Sequence, residues 1–303
     1  MKVQLATALG LALCLSWANV VRAEGSAEAA PQRKIGELDW HTDYASAYRA
    51  AQEQHKQLFI FFRDPREAIV AAAFERNVLA HPELVAPLKK AVRVVVPVSY
   101  QMPKEEKEGE ESKPAVRLLD HTSFVHMHKK PGLAVIDLVD SKDAIYGQVI
   151  SAHPFTQGQH YTLNPVKVIL GLPRATITQR ALVYAVRMHP EAPQSTRGIG
   201  HPYMFAQANE HSKLMAQYGS VGHHDWGNRS ARVASVVGGG PVEVAGTSWN
   251  SSSLNDAARE CIEQWRGSGV HWGMVAAPQG KYGYDMVQAP GGAWYATGIF
   301  VGN

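Results

Sequence analysis

The chain has 303 residues, 45% hydrophobic and 19% charged, a balance that excludes disordered and fibrous classes. Its net charge of +3 is too small to argue for nucleic acid or an anionic membrane as a partner. The length accommodates two domains of ordinary size.

The N-terminus reads as a leader. Lys2 is followed by the apolar stretch "VQLATALGLALCLSWANVV", and Val21 and Ala23 stand at −3 and −1 of a cleavage point before Glu24. Residues 1–23 are therefore expected to be a secretory signal peptide, with an uncleaved anchor as the other reading. "LALC" looks like a lipoprotein box, but the bulky Leu13 before Cys14 suits it poorly. No other transmembrane span is expected. The expected location is the periplasm, the cell envelope or the extracellular space. If Cys14 leaves with the leader, Cys261 stands alone and no intramolecular disulfide can form. Cys261 lies on an apolar helix face and reads as a small buried hydrophobe.

Residues 24–35 are small and polar and read as a linker. "DYASAYRAAQEQHK" has helical spacing, "QLFIFF" (Gln57–Phe62) is a wholly apolar strand, and "REAIVAAAFERNVL" is a second helical segment. "AVRVVVPVSY" and "PGLAVIDLVD" read as further buried strands. Between them, Lys104–Lys113 ("KEEKEGEESK") is a solvated charged loop. Helix and apolar strand in alternation predict an α/β domain over 36–150. Residues 151–177 read as its end and a connector.

From there the pattern changes. "RALVYAVRMHP" is a helix stopped by Pro190. "YMFAQANEHSKLMAQYG" is a longer one, with Met204, Ala208, His211, Met215 and Tyr218 along one face and Gly219 closing it. Ser253 caps a third, whose buried stripe is Ala257, Ala258, Cys261, Ile262 and Trp265. "KYGYDMVQAPGGAWYATGIFVG" predicts an antiparallel hairpin. The stretch "HTSFVHMH" puts His126 and His128 on one face if it is a strand, with His121 nearby. Zinc would accept such imidazoles, but no carboxylate or cysteine accompanies them.

Residues 36–150 resemble thioredoxin-like domains of the exported, thiol-isomerase-related kind. The resemblance rests on Trp40, the Ala-rich helix, "LFIFF", the helix opening after it, and Pro131, which matches a proline that is cis in that family. Where the family has Cys-x-x-Cys, this chain reads "RDPREA" (Arg63–Ala68). Disulfide exchange needs a thiolate, so the resemblance implies a redox-inactive scaffold.

Residues 178–303 resemble the CAP superfamily (cysteine-rich secretory proteins, antigen 5, pathogenesis-related-1) in its cysteine-poor bacterial form. Five motifs carry the resemblance in order: "ANEHSKLMAQYG", "VGHHDWGNR", "VEVAG", "WRGSGVHWGMV" and "YGYDMV…GAWYATGIF". It implies an α-β-α sandwich and aligns His223, Glu243 and His271 with cavity residues and Arg229 with the family's arginine. Ser268 stands where some relatives have a second glutamate, and Trp272 is a candidate cleft residue. Two imidazoles and a carboxylate can hold a divalent metal such as zinc, with His223 and His271 as ligands. They can also act as general acid and base, or form a hydrogen-bonded cluster. No cofactor is firmly implied. The favoured expectation is an exported, non-enzymatic binding protein whose partner is an unidentified small molecule, lipid or protein. A metal-assisted hydrolase using the His/Glu/His cluster is the alternative.

Overall fold

The computed structural model describes residues 32–102, 116–250 and 252–302. The expected leader at 1–23 and the expected charged loop Lys104–Lys113 lie outside these residues. The chain is α/β, as expected, and builds two sheets.

The first part runs β1 (Gln32–Ile35), β2 (Leu38–His41), α1 (Tyr44–Glu53), β3 (Gln57–Arg63), α2 (Ala68–Phe74), α3 (Pro82–Lys89), β4 (Ala91–Pro97), β5 (Gly132–Ile136), β6 (Val149–Pro154) and α4 (Leu163–Leu170). A π-helical turn over Glu75–Leu79 extends α2. The strands form one sheet in the order β1-β2-β4-β3-β5-β6. β2 and β3 run parallel to β4, while β5 runs antiparallel to β3 and β6 antiparallel to β5. "QLFIFF" is apolar throughout because β3 is central and covered on both faces. Phe59 and Phe61 join the core that holds Trp40, Phe74 and Phe155, whereas Leu58, Ile60 and Phe62 join the one against α1. The period of two thus fills two cores from one strand. Each buried phenylalanine contributes about 1.5–3 kcal/mol. Asp43 starts α1 by accepting the Ser46 N–H at 2.8 Å.

Three expectations change here. Residues 32–35 are not linker but a strand paired with β2 through the tight turn at Gly36, φ +58°. The sheet does not end at 150. β6 pairs with β5, and Val166 and Ile169 of α4 enter the same core as Phe61, so 151–170 belongs to this unit rather than to a connector. The described residues contain no cis peptide bond, so the bond preceding Pro131 is trans.

The second part runs α5 (Ile177–Met188), β7 (Ile199–Gly200), α6 (Pro202–Tyr218), α7 (Trp226–Val237), β8 (Val242–Thr247), α8 (Leu254–Arg266), α9 (Gly269–Ala276), β9 (Lys281–Gln288) and β10 (Trp294–Val301). Its sheet has the order β7-β9-β10-β8. α5 and α8 cover one face with Leu182, Val183, Cys261 and Trp265 against Tyr284 and Phe300. α6 and α7 cover the other with Met204, Ala208 and Val233 against Ile299. Three layers result, helices on both sides of one sheet. A capping box of Thr176 and Gln179 starts α5, Gly219 at φ +65° ends α6, and Ser253 caps α8.

α5 also joins the two parts. Arg180, 1% exposed, donates to Ser151 Oγ at 2.7 Å and to the carbonyls of Ile169 at 3.1 Å and Pro173 at 2.8 Å. Asn255 at the start of α8 donates to the Ala152 carbonyl at 2.9 Å.

Helix α6 lies directly on β9. A Cβ at Gly283 would stand 2.3 Å from the Met204 carbonyl carbon and 2.5 Å from the Phe205 nitrogen. Backbone cannot rotate away as a side chain can, so Gly283→Ala is expected to cost about 1–3 kcal/mol. Urea unfolding measures it.

Candidate functional site

The C-terminal cluster forms on the face of the second sheet covered by α6 and α7, beside edge strand β8. Glu243 pairs in register with Ile299 and so faces the same helices. It is 4% exposed, and both carboxylate oxygens are engaged. Arg229 of α7, itself 3% exposed, approaches Oε2 with Nη2 at 2.6 Å and Nε at 3.0 Å. The third arm of Arg229, Nη1, donates to the His224 carbonyl at 2.7 Å. His223, in the loop between α6 and α7, brings Nδ1 to Oε1 at 2.9 Å. The carboxylate acceptor fixes Nδ1 as the protonated nitrogen and leaves Nε2 as an acceptor. The ring is half-exposed, with 45% of its side chain open to solvent. His271 lies edge-on to it, ring centroids 5.7 Å apart.

His211 completes the cluster. Its spacing reads as a core histidine, and it is indeed buried, but Nδ1 lies 3.3 Å from Glu243 Oε2 and 3.0 Å from Thr297 Oγ1. Burial, and then the Arg229 charge, press its pKa down to about 3. Burial pushes the Glu243 carboxyl up, opposed by Arg229 and His223. Burial and the neighbouring His223 lower His271.

His271 lies in the first turn of a short helix. Ser268 restarts the chain as a helix, α9, accepting from the His271 N–H at 3.5 Å. Ser268, which aligns with a glutamate of some relatives in the CAP resemblance, serves here as that cap. Trp272 does not line the cluster. Its Nε1 donates to Glu191 at 3.0 Å, and its ring lies against His189 and Arg266. His224 meets Tyr218 edge-on, with ring centroids 5.1 Å apart.

The same geometry tests the fit of a metal. Zinc needs converging lone pairs, but Oε2 accepts two guanidinium N–H groups and Oε1 faces a protonated Nδ1. The Arg229 charge would also repel a cation. No group of three or more His, Cys, Asp or Glu among the described residues is arranged to hold a metal ion. His223 and His271 as ligands therefore lack a third donor in this arrangement. The N-terminal histidines fare no better. "HTSFVHM" forms a 3-10 turn rather than a strand, so the face that would pair His126 with His128 does not exist. His126 lies against Trp294, and His128 adopts φ +50°.

In the N-terminal part, "RDPREA" lies where β3 ends and α2 begins. Asp64, 3% exposed, accepts the Arg66 N–H at 2.9 Å and its Nη2 at 2.8 Å. A carboxylate held by an arginine cannot perform thiol exchange. A family model described as thioredoxin-like matches residues 39–127, so this part of the chain is a thioredoxin-like domain, one without cysteine. No curated protein and no solved structure matches the chain.

No helix of the described residues is long and apolar enough to cross a membrane.

Proposed function

We propose that the chain is an exported, non-enzymatic binding protein, in which a redox-inactive thioredoxin-like domain carries a C-terminal CAP-type domain that engages a lipid or a protein. The observation that carries this reading is the closure of Glu243 by Arg229 on one oxygen and His223 on the other. A carboxylate so engaged is neither a free base nor a metal ligand, and the cluster serves to lock α6, α7 and β8 around its half-exposed rim of His223 and His271. The three-layer arrangement and the convergence of the aligned residues support the CAP-type reading, and the leader-like sequence of residues 1–23 supports export.

One observation favours a hydrolytic alternative. The Glu243–His223 hydrogen bond orients an imidazole with its second nitrogen toward solvent, as a general base requires. Assay on peptide and ester libraries separates the two. The binding reading expects no turnover by wild type and no zinc binding tighter than about micromolar on calorimetric titration. Turnover that His223→Ala abolishes, with the fold intact by circular dichroism, would establish the hydrolase instead. Zinc-dependent turnover lost in Glu243→Gln would restore the metal-assisted form.

A further inference from the structure

Parallel strands β3 and β4 end side by side, Arg63 opposite Pro97. The carboxyl ends of parallel strands are where open α/β sheets leave crevices for ligands. Here the crevice is a cavity of about 220 Å³, lined among others by Arg33, Arg63, Pro65, Val95, Val96 and Pro97. Two features define what would fit it.

The first is charge. Two guanidiniums reach the cavity wall, and among the described residues no carboxylate lines it. Both arginines share one acid, Glu75, which is 8% exposed: Arg33 hydrogen-bonds Oε2, and Arg63 Nε stands 3.3 Å from Oε1. That second approach is an ion pair without hydrogen-bond alignment, for neither Arg63 Nε nor Glu75 Oε1 has a hydrogen-bonding partner among the described residues. The other contact of the Arg63 fork is a long one, from Nη2 to the Ala68 carbonyl at 3.5 Å. A planar fork of five donors is thus left largely uncommitted, beside one surplus positive charge. A monoanion balances that charge. A dianion would meet Glu75.

The second feature is the wall. Pro65, Val95, Val96 and Pro97 are apolar, and the volume lies below the roughly 300–1,000 Å³ of ordinary drug-sized sites. The occupant is therefore small and carries an apolar group beside its anionic one.

We propose that this cavity binds a monocarboxylate bearing a short aliphatic group, with Arg63 pairing the carboxylate and Arg33 adding charge. The chemistry is shared by a free branched-chain acid and by the C-terminal residue of a peptide. Disulfide chemistry plays no part in it, and the proposal is independent of the C-terminal cluster.

Calorimetric titration of the full chain with isovalerate, acetyl-Ala-Leu free acid, acetyl-Ala-Leu amide and inorganic phosphate tests it. At least one acid should saturate with a Kd tighter than about 5 mM. The amide should bind at least tenfold more weakly than its acid, and Arg63→Gln should weaken the acid at least tenfold. Arg33→Gln serves as the second variant if Arg63→Gln fails to fold. The better of the two acids names the source, free acid or peptide terminus. No saturation by either acid, amide equal to acid, phosphate tighter than both acids, or unchanged affinity in a folded arginine variant would overturn the proposal. The acid–amide comparison needs no variant, so it decides the matter even if both substitutions unfold the chain.

Discussion

Arg229→Met is expected to destabilise the protein by about 3–5 kcal/mol, the usual cost of removing one partner of a buried ion pair. Both side chains are sealed, at 3% and 1% exposure for Arg229 and Glu243, so solvent cannot replace the lost partner. The substitution strands the carboxylate, and also frees the His224 carbonyl that Nη1 holds at 2.7 Å. Glu243, whose carboxyl burial already pushes up, must then stay ionised at a cost or take a proton. His211 is the neighbour able to share that proton, at 3.3 Å from the same oxygen. The loss should therefore shrink as the pH falls. Glu243→Leu alone should cost a similar amount, because it buries the guanidinium unpaired. The double variant should cost less than the sum of the two, with a coupling of about 2 kcal/mol or more. Urea denaturation of the four proteins measures the cycle. Strict additivity would mean that the pair is not the lock that the proposed function requires.

The unequal legibility of the fold and this cluster has a physical basis. β3 could be read because six consecutive apolar residues admit only a place covered on both faces. The ends of α6 and α8 could be read because Gly219 and Ser253 act within a few residues of themselves. The pairing of Arg229 with Glu243 spans a helix and a strand, and nothing local decides whether that arginine turns inward or to solvent. The apolar stripe of α6 correctly buried His211, but a stripe does not name what a buried imidazole touches. α9 was hidden for the opposite reason. Gly267-Ser268-Gly269 has poor helix propensity, yet the Ser268 cap and the packing of α9 on α8 and β8 override it. In β6 and α4, the polar run "TQGQHYT" between them masks two short segments whose apolar residues complete a core built by distant strands. Trp272 shows a further limit. Its neighbours in sequence place it by the cluster, but the 3.6-residue period of α9 turns it toward Glu191.

Acid is expected to loosen the protein through His153, beneath the helix that joins its two parts. The residue is on β6, 2% exposed, with its ring 4.5 Å from that of Tyr184 on α5 and 6.0 Å from that of Tyr161. Its Nδ1 has no hydrogen-bonding partner among the described residues, and Arg180 is the charge that faces it from α5. Burial first, and Arg180 second, press its pKa down to about 3 from the ordinary 6.5. Above 6.5 the imidazole is neutral whether the chain is folded or not, and its contribution is fully present. Between 6.5 and about 3 the unfolded chain holds a proton that the folded chain refuses. Stability then falls by about 1.4 kcal/mol for each pH unit. Glu243 and Asp285, whose carboxyls burial pushes up, act in the opposite direction above the ordinary carboxylate range. His211 adds to the loss. The contribution of His153 must therefore be read as a difference. His153→Phe keeps the aromatic contact with Tyr184 and cannot take a proton. Relative to the variant, the wild type should lose about 2–3 kcal/mol on going from pH 7 to pH 4.5. Parallel stability–pH curves for the two proteins would show that His153 is already solvated in the folded state and that the joint between the parts is not the acid-sensitive element.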